Sequence, residues 1–330
     1  MNSPWPDGFA RIPDADWVSE KIDTLARKYD SVEHHGWYRN LDPTVDRLRE
    51  LVTDGDIVID YSGGTGILTD RLLRACPDLN AGWLIVDSSP KFLRLALEKL
   101  RDETRVAFRL IRYLKPERRL QLLDEVLGAE PASVHGLVST NAVHLYYDLP
   151  ETVASWVRVL RPNAYVLVQS GNIRNPDAEP GSWIIDETVE AIHENAVEIV
   201  RSDARFLEYR PGLDDDERCA KYASLRNKYF LPVRPLDTYL GVFRDAGLTV
   251  EEVTCLPVQA RVVEWFEFLA AYHEGVLGWV GGVERIEGRA ASEETVRDRL
   301  TLIREGLDRL FEGKDGFRAS WTHITCRTPR

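Results

Sequence analysis

Asp56-Ile-Val-Ile-Asp-Tyr-Ser-Gly-Gly-Thr-Gly-Ile-Leu-Thr-Asp70 decides the fold. Ile57, Val58 and Ile59 form a short β-branched run suited to a strand buried on both faces of a parallel sheet. The run ends at Asp60, passes through Ser62-Gly63-Gly64-Thr65-Gly66, and continues into Ile67, Leu68, Leu72 and Leu73 at helical spacing. Strand, tight glycine turn and helix together let a backbone approach a nucleotide-like ligand closely. A second run, Trp83-Leu-Ile-Val-Asp87, also ends in an acid. Asp87 lies 21 residues beyond Gly66, the distance that brings a carboxylate at the tip of the second strand to ribose hydroxyls.

Asp60-Tyr61-Ser62-Gly63-Gly64-Thr65-Gly66 resembles the signature of class I S-adenosylmethionine-dependent methyltransferases of the small-molecule type, with Ser62 in place of the first glycine. The competing nicotinamide or flavin pattern, Gly-x-Gly-x-x-Gly, starts at Gly64, meets Gly66 and fails at Thr69. A negative charge at Asp60 also suits a ligand with an amino group and a sulfonium better than a pyrophosphate. The methyltransferase reading is preferred.

Hydrophobic content of 44% and charged content of 29% in 330 residues are those of a globular protein of one large or two small domains. The net charge is −12, with 21 basic and 25 acidic residues through position 170 and 21 and 29 beyond it. Neither part offers the basic surface of a nucleic-acid binder. Cys76, Cys219, Cys255 and Cys326 lack metal-ligand or paired spacing and are read as reduced thiols. No apolar run is long enough for a membrane span, and the N-terminus lacks a signal peptide's basic and apolar parts, so the expected location is cytoplasmic. The expected partner is a small-molecule substrate, with no nucleic acid and no membrane; a homodimer is left open.

Residues 1–52 are expected to form an N-terminal arm and helical lid, with helices at Trp17–Tyr29 and Leu41–Val52 around the aromatic and imidazole-rich segment Tyr29–Tyr38. Residues 53–170 are the Rossmann-like core. In it Ser89-Pro90 opens a helix to Arg101, Val106–Leu110 is the third strand, Val134–Asn141 the fourth, Pro150–Leu160 a helix and Leu160–Gln169 a turn and fifth strand. Asn163-Ala164 replaces the two glycines usual in that turn, and Arg112-Tyr113 the acid that often follows the third strand. Residues 171–235 are expected as a helical insertion and substrate cap after the fifth strand, with a long helix at Trp183–Phe206. Asp214-Asp-Asp-Glu217 reads as a solvated loop capping the next helix, because acids in an unbroken row do not converge on one ion. Residues 236–330 complete the core: a helix at Leu236–Ala246, a sixth strand at Gly247–Val253, helices at Val263–Leu277 and Glu293–Phe311, and a seventh, edge strand at Ala319–Cys326. The expected whole is an α/β fold, a seven-stranded mostly parallel sheet with helices on both faces.

The resemblance implies S-adenosylmethionine as cofactor, bound by Tyr29, Asp60, Ser62, Gly63, Gly64, Gly66, Asp87, Ser88 and Asn141. Asp60 would meet the amino group, Asp87 the ribose hydroxyls, Ser88 the adenine, and Asn141 would lie near the sulfonium. His34, Trp37, Tyr38, Tyr147 and Trp183 are the expected pocket walls, whose aromatic character suits a flat or partly apolar substrate. His144, just past the fourth strand, is the first candidate for a general base, with His35 behind it; no metal is expected. Oxygen is the first guess for the methylated atom, before nitrogen or carbon. The alternatives are a non-catalytic binding protein for S-adenosylmethionine or S-adenosylhomocysteine on the same fold, and a nicotinamide-dependent oxidoreductase.

Overall fold

The computed structural model describes residues 3–22, 24–128 and 134–330. Seven strands form its sheet: β1 (Ile57–Tyr61), β2 (Gly82–Asp87), β3 (Val106–Leu110), β4 (Val134–Thr140), β5 (Leu160–Ser170), β6 (Thr249–Arg261) and β7 (Gly316–Arg327). Their order is β6–β7–β5–β4–β1–β2–β3. Neighbours from β5 through β3 pair in parallel, and β7 runs antiparallel to both β5 and β6. The seventh strand is therefore not the edge strand expected from the sequence. It lies between the fifth and sixth, and β6 takes the edge. Strand order depends on which backbones meet in space, and no local pattern in Ala319–Cys326 carries that information.

Strand periodicity divides the core. Val58, Trp83, Ile85, Phe108 and Val138 point to the face covered by α2 (Asp42–Leu51), α3 (Ile67–Ala75) and α4 (Pro90–Leu100). Their neighbours Ile57, Ile59, Leu84, Val86, Ala107 and Leu137 point to the face covered by α5 (Leu149–Val159) and by α8 (Leu236–Asp245). Asp42-Pro43 starts α2, and Ser89-Pro90 starts α4, where Ser89 Oγ accepts from Phe92 N–H at 3.3 Å. Near the start of β5 Asn163 holds φ +61°, the left-handed geometry for which glycine is the usual residue and asparagine the best substitute.

A third core stands above the carboxyl ends of the strands. β5 pairs with β7 only from Thr322 onward, whereas β6 and β7 stay paired out to Arg261 and Gly316. The surplus forms a two-stranded ribbon rising about 20 Å beyond the sheet. Against it pack α6 (Glu187–Ser202), α7 (Asp216–Tyr229), α9 (Val262–Ala271) and α10 (Glu293–Leu310), together with Trp37, Tyr38 and Leu41 of the N-terminal segment. The chain leaves for α6 and α7 and returns through adjacent backbones, since Ile173 pairs with Arg234 and Arg174 with Pro235.

Several helix boundaries differ from expectation. The helix expected at Trp17–Tyr29 is a 3-10 turn at Asp16–Ser19 and a separate helix α1 (Thr24–Asp30), interrupted where Glu20 turns extended (φ −64°, ψ 153°); residue 23 lies outside the described residues. The long helix expected from Trp183 begins only at Glu187, because β7 claims the backbone before it: Trp183 N–H donates to Arg318 O at 2.8 Å and Ser320 N–H to Trp183 O at 2.9 Å. The helix expected at Val263–Leu277 breaks at Tyr272 (φ −112°, ψ 22°) into α9 and a short helix at His273–Leu277. In the acidic row, Asp215 caps α7 by accepting from Arg218 N–H at 2.9 Å.

Candidate functional site

The glycine turn follows β1 at the carboxyl edge of the sheet. Ser62, Gly64 and Gly66 all hold positive φ, at +58°, +56° and +77°. A Cβ on Gly66 would stand 3.1 Å from Ile85 and Leu100, so this glycine sets how closely α3 meets β2 and α4. A Cβ on Gly63 would stand 2.8 Å from the Asp60 carboxyl carbon. Ser62 lies in a region that costs a non-glycine residue roughly 1 kcal/mol or more. A second interaction holds it there: its hydroxyl is 2.9 Å from Tyr146 OH, which is also 2.9 Å from Ser139 Oγ. Three hydroxyls thus tie the turn to the end of β4.

Two buried carboxylates flank the turn. Asp60 Oδ2 accepts from Thr69 Oγ1 at 2.8 Å, and Oδ1 is buried with no partner. Burial raises its pKa to about 7. Asp87 Oδ2 accepts from Gly64 N–H at 2.8 Å and Oδ1 from Ser89 N–H at 2.7 Å, while burial raises its pKa. Each oxygen keeps a further lone pair for a ligand donor. Ser88 beside it is exposed. Thr65 Oγ1, also in the turn, is buried without a partner.

The N-terminal segment closes over this turn. Tyr29 stacks on Phe92 with ring centroids 4.8 Å apart, and a Cβ on Gly64 would lie 3.8 Å from Tyr29 and 3.9 Å from Phe92. Tyr29 OH is 3.4 Å from Tyr38 OH, and burial raises the Tyr38 phenol to about 12. Arg71 of α3 holds the segment down by donating to Tyr38 O at 3.1 Å and Glu33 O at 3.2 Å. At the end of β4, Asn141 takes φ +54° and its Oδ1 accepts from Trp321 Nε1 at 2.9 Å. Trp37 stacks on Trp321 at 6.1 Å. Asn40 is buried beside Asn141, with Oδ1 3.5 Å from Asn141 Nδ2 and its own Nδ2 unpartnered.

The structure thus gathers Tyr29, Asp60, Ser62, Gly63, Gly64, Gly66, Asp87, Asn141, Trp37 and Tyr38 around one turn and two strand ends. Five expected roles need correction. His144 is buried with both ring nitrogens in use, Nδ1 3.0 Å from Ser170 Oγ and Nε2 accepting from Asn172 Nδ2 at 3.1 Å. Burial lowers its pKa to about 3, so the imidazole is a neutral strut with no nitrogen free to take a substrate proton. His35 is likewise engaged, accepting from Trp37 Nε1 at 3.2 Å and facing Glu267 at 3.3 Å. His34 is exposed and lines an open groove of about 880 Å³ on the outer side of α2 and α3. Tyr147 is 75% exposed; its neighbour Tyr146 is the one turned inward. Trp183 packs edge-on against Phe311 at 6.1 Å, as part of the upper core.

Sequence reading missed Thr65, Phe92, Asn40 and Trp321 as site residues. Thr65 sits inside the motif and was open to being found there. Asn40 and Trp321 arrive from opposite ends of the chain, and no spacing announces them. Tyr113 is 57% exposed, on a two-stranded hairpin pairing it with Leu120.

The orphaned Asp60 Oδ1 tests the cofactor expectation. A buried carboxylate oxygen without a partner beside a glycine turn fits a ligand ammonium and opposes a pyrophosphate. The residues present therefore fit S-adenosylmethionine. Among the described residues, no group of three His, Cys, Asp or Glu could hold a metal ion, and no helix is long and apolar enough to cross a membrane.

Comparison with known proteins places the fold. No family model and no curated protein matches the chain. Among solved structures, the YcgJ protein of Bacillus subtilis superimposes with a TM-score of 0.51 at 12% identity, over 89% of this chain and 99% of that one. The [4+2]-cyclase SpnF gives 0.50 at 14% identity, over 92% of each chain. A candidate sarcosine dimethylglycine methyltransferase from Galdieria sulphuraria gives 0.50 at 11%, over 93% and 99%. The chain has the Rossmann-like fold of the class I S-adenosylmethionine-dependent methyltransferases.

Proposed function

We propose that the chain is an S-adenosylmethionine-dependent methyltransferase acting on a small organic molecule, with oxygen as the first choice of acceptor atom. The observation that carries this reading is the unpartnered, buried Oδ1 of Asp60 beside a turn with three left-handed residues, whose last glycine, Gly66, lies 21 positions before Asp87. Asp60 would hold the amino group of the cofactor, Asp87 the ribose hydroxyls, and Ser62, Gly63, Gly64 and Gly66 the backbone cradle. Ser88 would border the adenine, Asn141 the reacting end, and Tyr29 with Phe92 would cover the turn. The bound cofactor would supply an electrophilic methyl carbon on a sulfonium.

The chain's own share of the work is placement. Asn141, fixed by Trp321 of β7, and Tyr146, fixed by Ser139 of β4 and Ser62 of the glycine turn, are held by partners from separate elements, which fixes their positions beside the turn. The wall of Trp37, Tyr38 and Trp321 supports a flat acceptor, and the N-terminal segment excludes water. The acidic net charge supports a reading without nucleic acid.

The testing experiment is calorimetric titration with S-adenosylhomocysteine, with NAD as a parallel control. Micromolar binding of the first and none of the second is expected. NAD binding alone would refute the proposal. A second reading, a non-transferring protein that keeps the cofactor, draws support from the [4+2]-cyclase among the structural neighbours, since this fold accommodates other chemistry. Methyl transfer from labelled donor to any acceptor would exclude it.

A further inference from the structure

α2 does not fill the sheet face beneath it. On β7 and β6 the cross-strand pairs His323–Thr254 and Thr325–Glu252 stand two positions apart and so point to one face. Leu167 of β5, opposite Thr325, shares that face and belongs to the core under α2. α2 crosses above with Thr44, Arg47 and Glu50 at three-residue steps along one side. Between helix and strands a cavity of about 280 Å³ remains, walled by Thr44, Arg47, Glu252, Thr254 and His323, with Pro43 and Leu167 as an apolar side. None of these residues belongs to the glycine turn or its two carboxylates.

Two polar atoms on these walls are orphaned. His323 Nε2 and Arg47 Nε are both buried without a hydrogen-bond partner. The other side of each group is engaged: His323 Nδ1 is 3.4 Å from Thr44 Oγ1, and Arg47 Nη1 donates to Glu50 Oε2 at 2.7 Å. Buried polar atoms are nearly always paired, so two orphans on one cavity mark a place where a partner belongs. Burial lowers the His323 imidazole to about 4, which leaves it uncharged. The charges around the cavity are unevenly matched. Arg47 is paired with Glu50 and Asp46 with Arg49 at 3.4 Å, whereas Glu252 has no ion-pair partner among the described residues. The cavity therefore offers an unused N–H donor on the helix side and an uncompensated carboxylate on the strand side.

We propose that this cavity binds a small zwitterion, a free α-amino acid, with its carboxylate on Arg47 Nε–H and its ammonium at Glu252 and His323 Nε2. His323 accepts there in the tautomer that donates from Nδ1 to Thr44 Oγ1. An anion alone would leave Glu252 unpaired and repelling it, and a cation alone would leave Arg47 Nε without an acceptor. Pro43 and Leu167 receive a short aliphatic side chain, and the volume, at the small end for ligand pockets, excludes a molecule of nucleotide size. The site is separate from the glycine turn and does not depend on the transfer reading. It backs onto the residues around Asn141, because Gln169, the β5 partner of His323, donates to Asn40 O at 3.3 Å and accepts from Asn141 N–H at 3.1 Å.

Calorimetric titration of the full chain with L-valine tests this, beside isovalerate and isobutylamine, the same skeleton without the ammonium or without the carboxylate. Valine should bind saturably with a dissociation constant of about 1 mM or tighter, and each truncated probe at least about tenfold more weakly. Glu252→Gln and Arg47→Gln, both at solvent-reaching side chains, should each weaken valine at least about tenfold. In NMR spectra of the imidazoles, valine should shift the His323 resonances in wild type. Excess S-adenosylhomocysteine should leave valine affinity within about twofold, since the glycine turn shares no residue with this cavity. No saturable valine binding up to about 50 mM, with His323 unmoved, overturns the proposal in favour of a cavity that holds only water. Isovalerate as tight as valine, or equal valine affinity in wild type and both variants, overturns it too. Displacement of valine by S-adenosylhomocysteine without loss in Glu252→Gln places valine in the glycine turn and likewise refutes it.

Discussion

If Asp60 holds a ligand ammonium, cofactor affinity must depend on pH through this one carboxyl. Its folded-state pKa is raised to about 7 by burial, and the ligand needs the ionised form. Affinity is therefore full above that midpoint and falls as pH drops through it. A carboxyl with this midpoint is about three-quarters ionised at pH 7.5 and about 3% ionised at pH 5.5. The apparent dissociation constant of S-adenosylhomocysteine should then weaken roughly 25-fold between those conditions, on the order of 2 kcal/mol. Binding at the lower pH should also release close to one proton, visible as a buffer-dependent heat. Asp60→Asn keeps an oxygen for Thr69 Oγ1 and removes the ionisation. In that variant affinity should be weaker at every pH and its slope largely gone. Any slope that survives belongs to Asp87, whose pKa burial also raises. A flat wild-type profile, or the same profile in both proteins, would refute an ammonium contact at Asp60.

Other variants separate support from chemistry. His144→Ala should cost about 3 kcal/mol in urea unfolding, because Asn172 Nδ2 and Ser170 Oγ lose their shared partner in a buried site. An unchanged stability with slowed transfer would restore His144 as a base. Arg71→Ala releases the carbonyls of Glu33 and Tyr38, so stopped-flow fluorescence should show S-adenosylhomocysteine entering and leaving faster, with about 1–2 kcal/mol less affinity. Equal rates would mean that the segment does not gate the turn. Gly66→Ala should lower stability by about 2–3 kcal/mol through its positive φ and its contacts with Ile85 and Leu100. Gly55→Ala, also at positive φ but with nothing within 4 Å, should cost about 1 kcal/mol. Equal losses at the two sites would remove packing as the reason for Gly66.

The half of the candidate site built on the glycine turn was legible in the sequence because its contacts are local. Asp60, the glycine turn and Asp87 lie on two consecutive strands, so sequence spacing and spatial distance carry the same information. The half around Asn141 was not. Trp321 reaches Asn141 across 180 positions, and Asn40 reaches it across 101. His144 stood at the right place along the chain, but whether its nitrogens were free depended on Asn172 and Ser170. The edge position expected of β7 failed for a similar reason: alternation identifies a strand and says nothing about which neighbour it takes. Trp183 lost its expected helix to backbone bonds with β7, a tertiary preference stronger than periodicity.

The pairing of Ile173 with Arg234 and of Arg174 with Pro235 has a consequence for descent. An excursion whose two ends remain neighbours can be lengthened, shortened or exchanged without shifting the register of the sheet that bears it. Residues 175–233 are thus an excursion that the frame of the sheet carries without depending on its length. The upper-core helices α6 and α7 belong to this excursion, while Asp60 and Asp87 belong to the sheet. A different excursion set between the same two ends would remodel the layer above the carboxyl ends of the strands, and the glycine turn would not register the exchange.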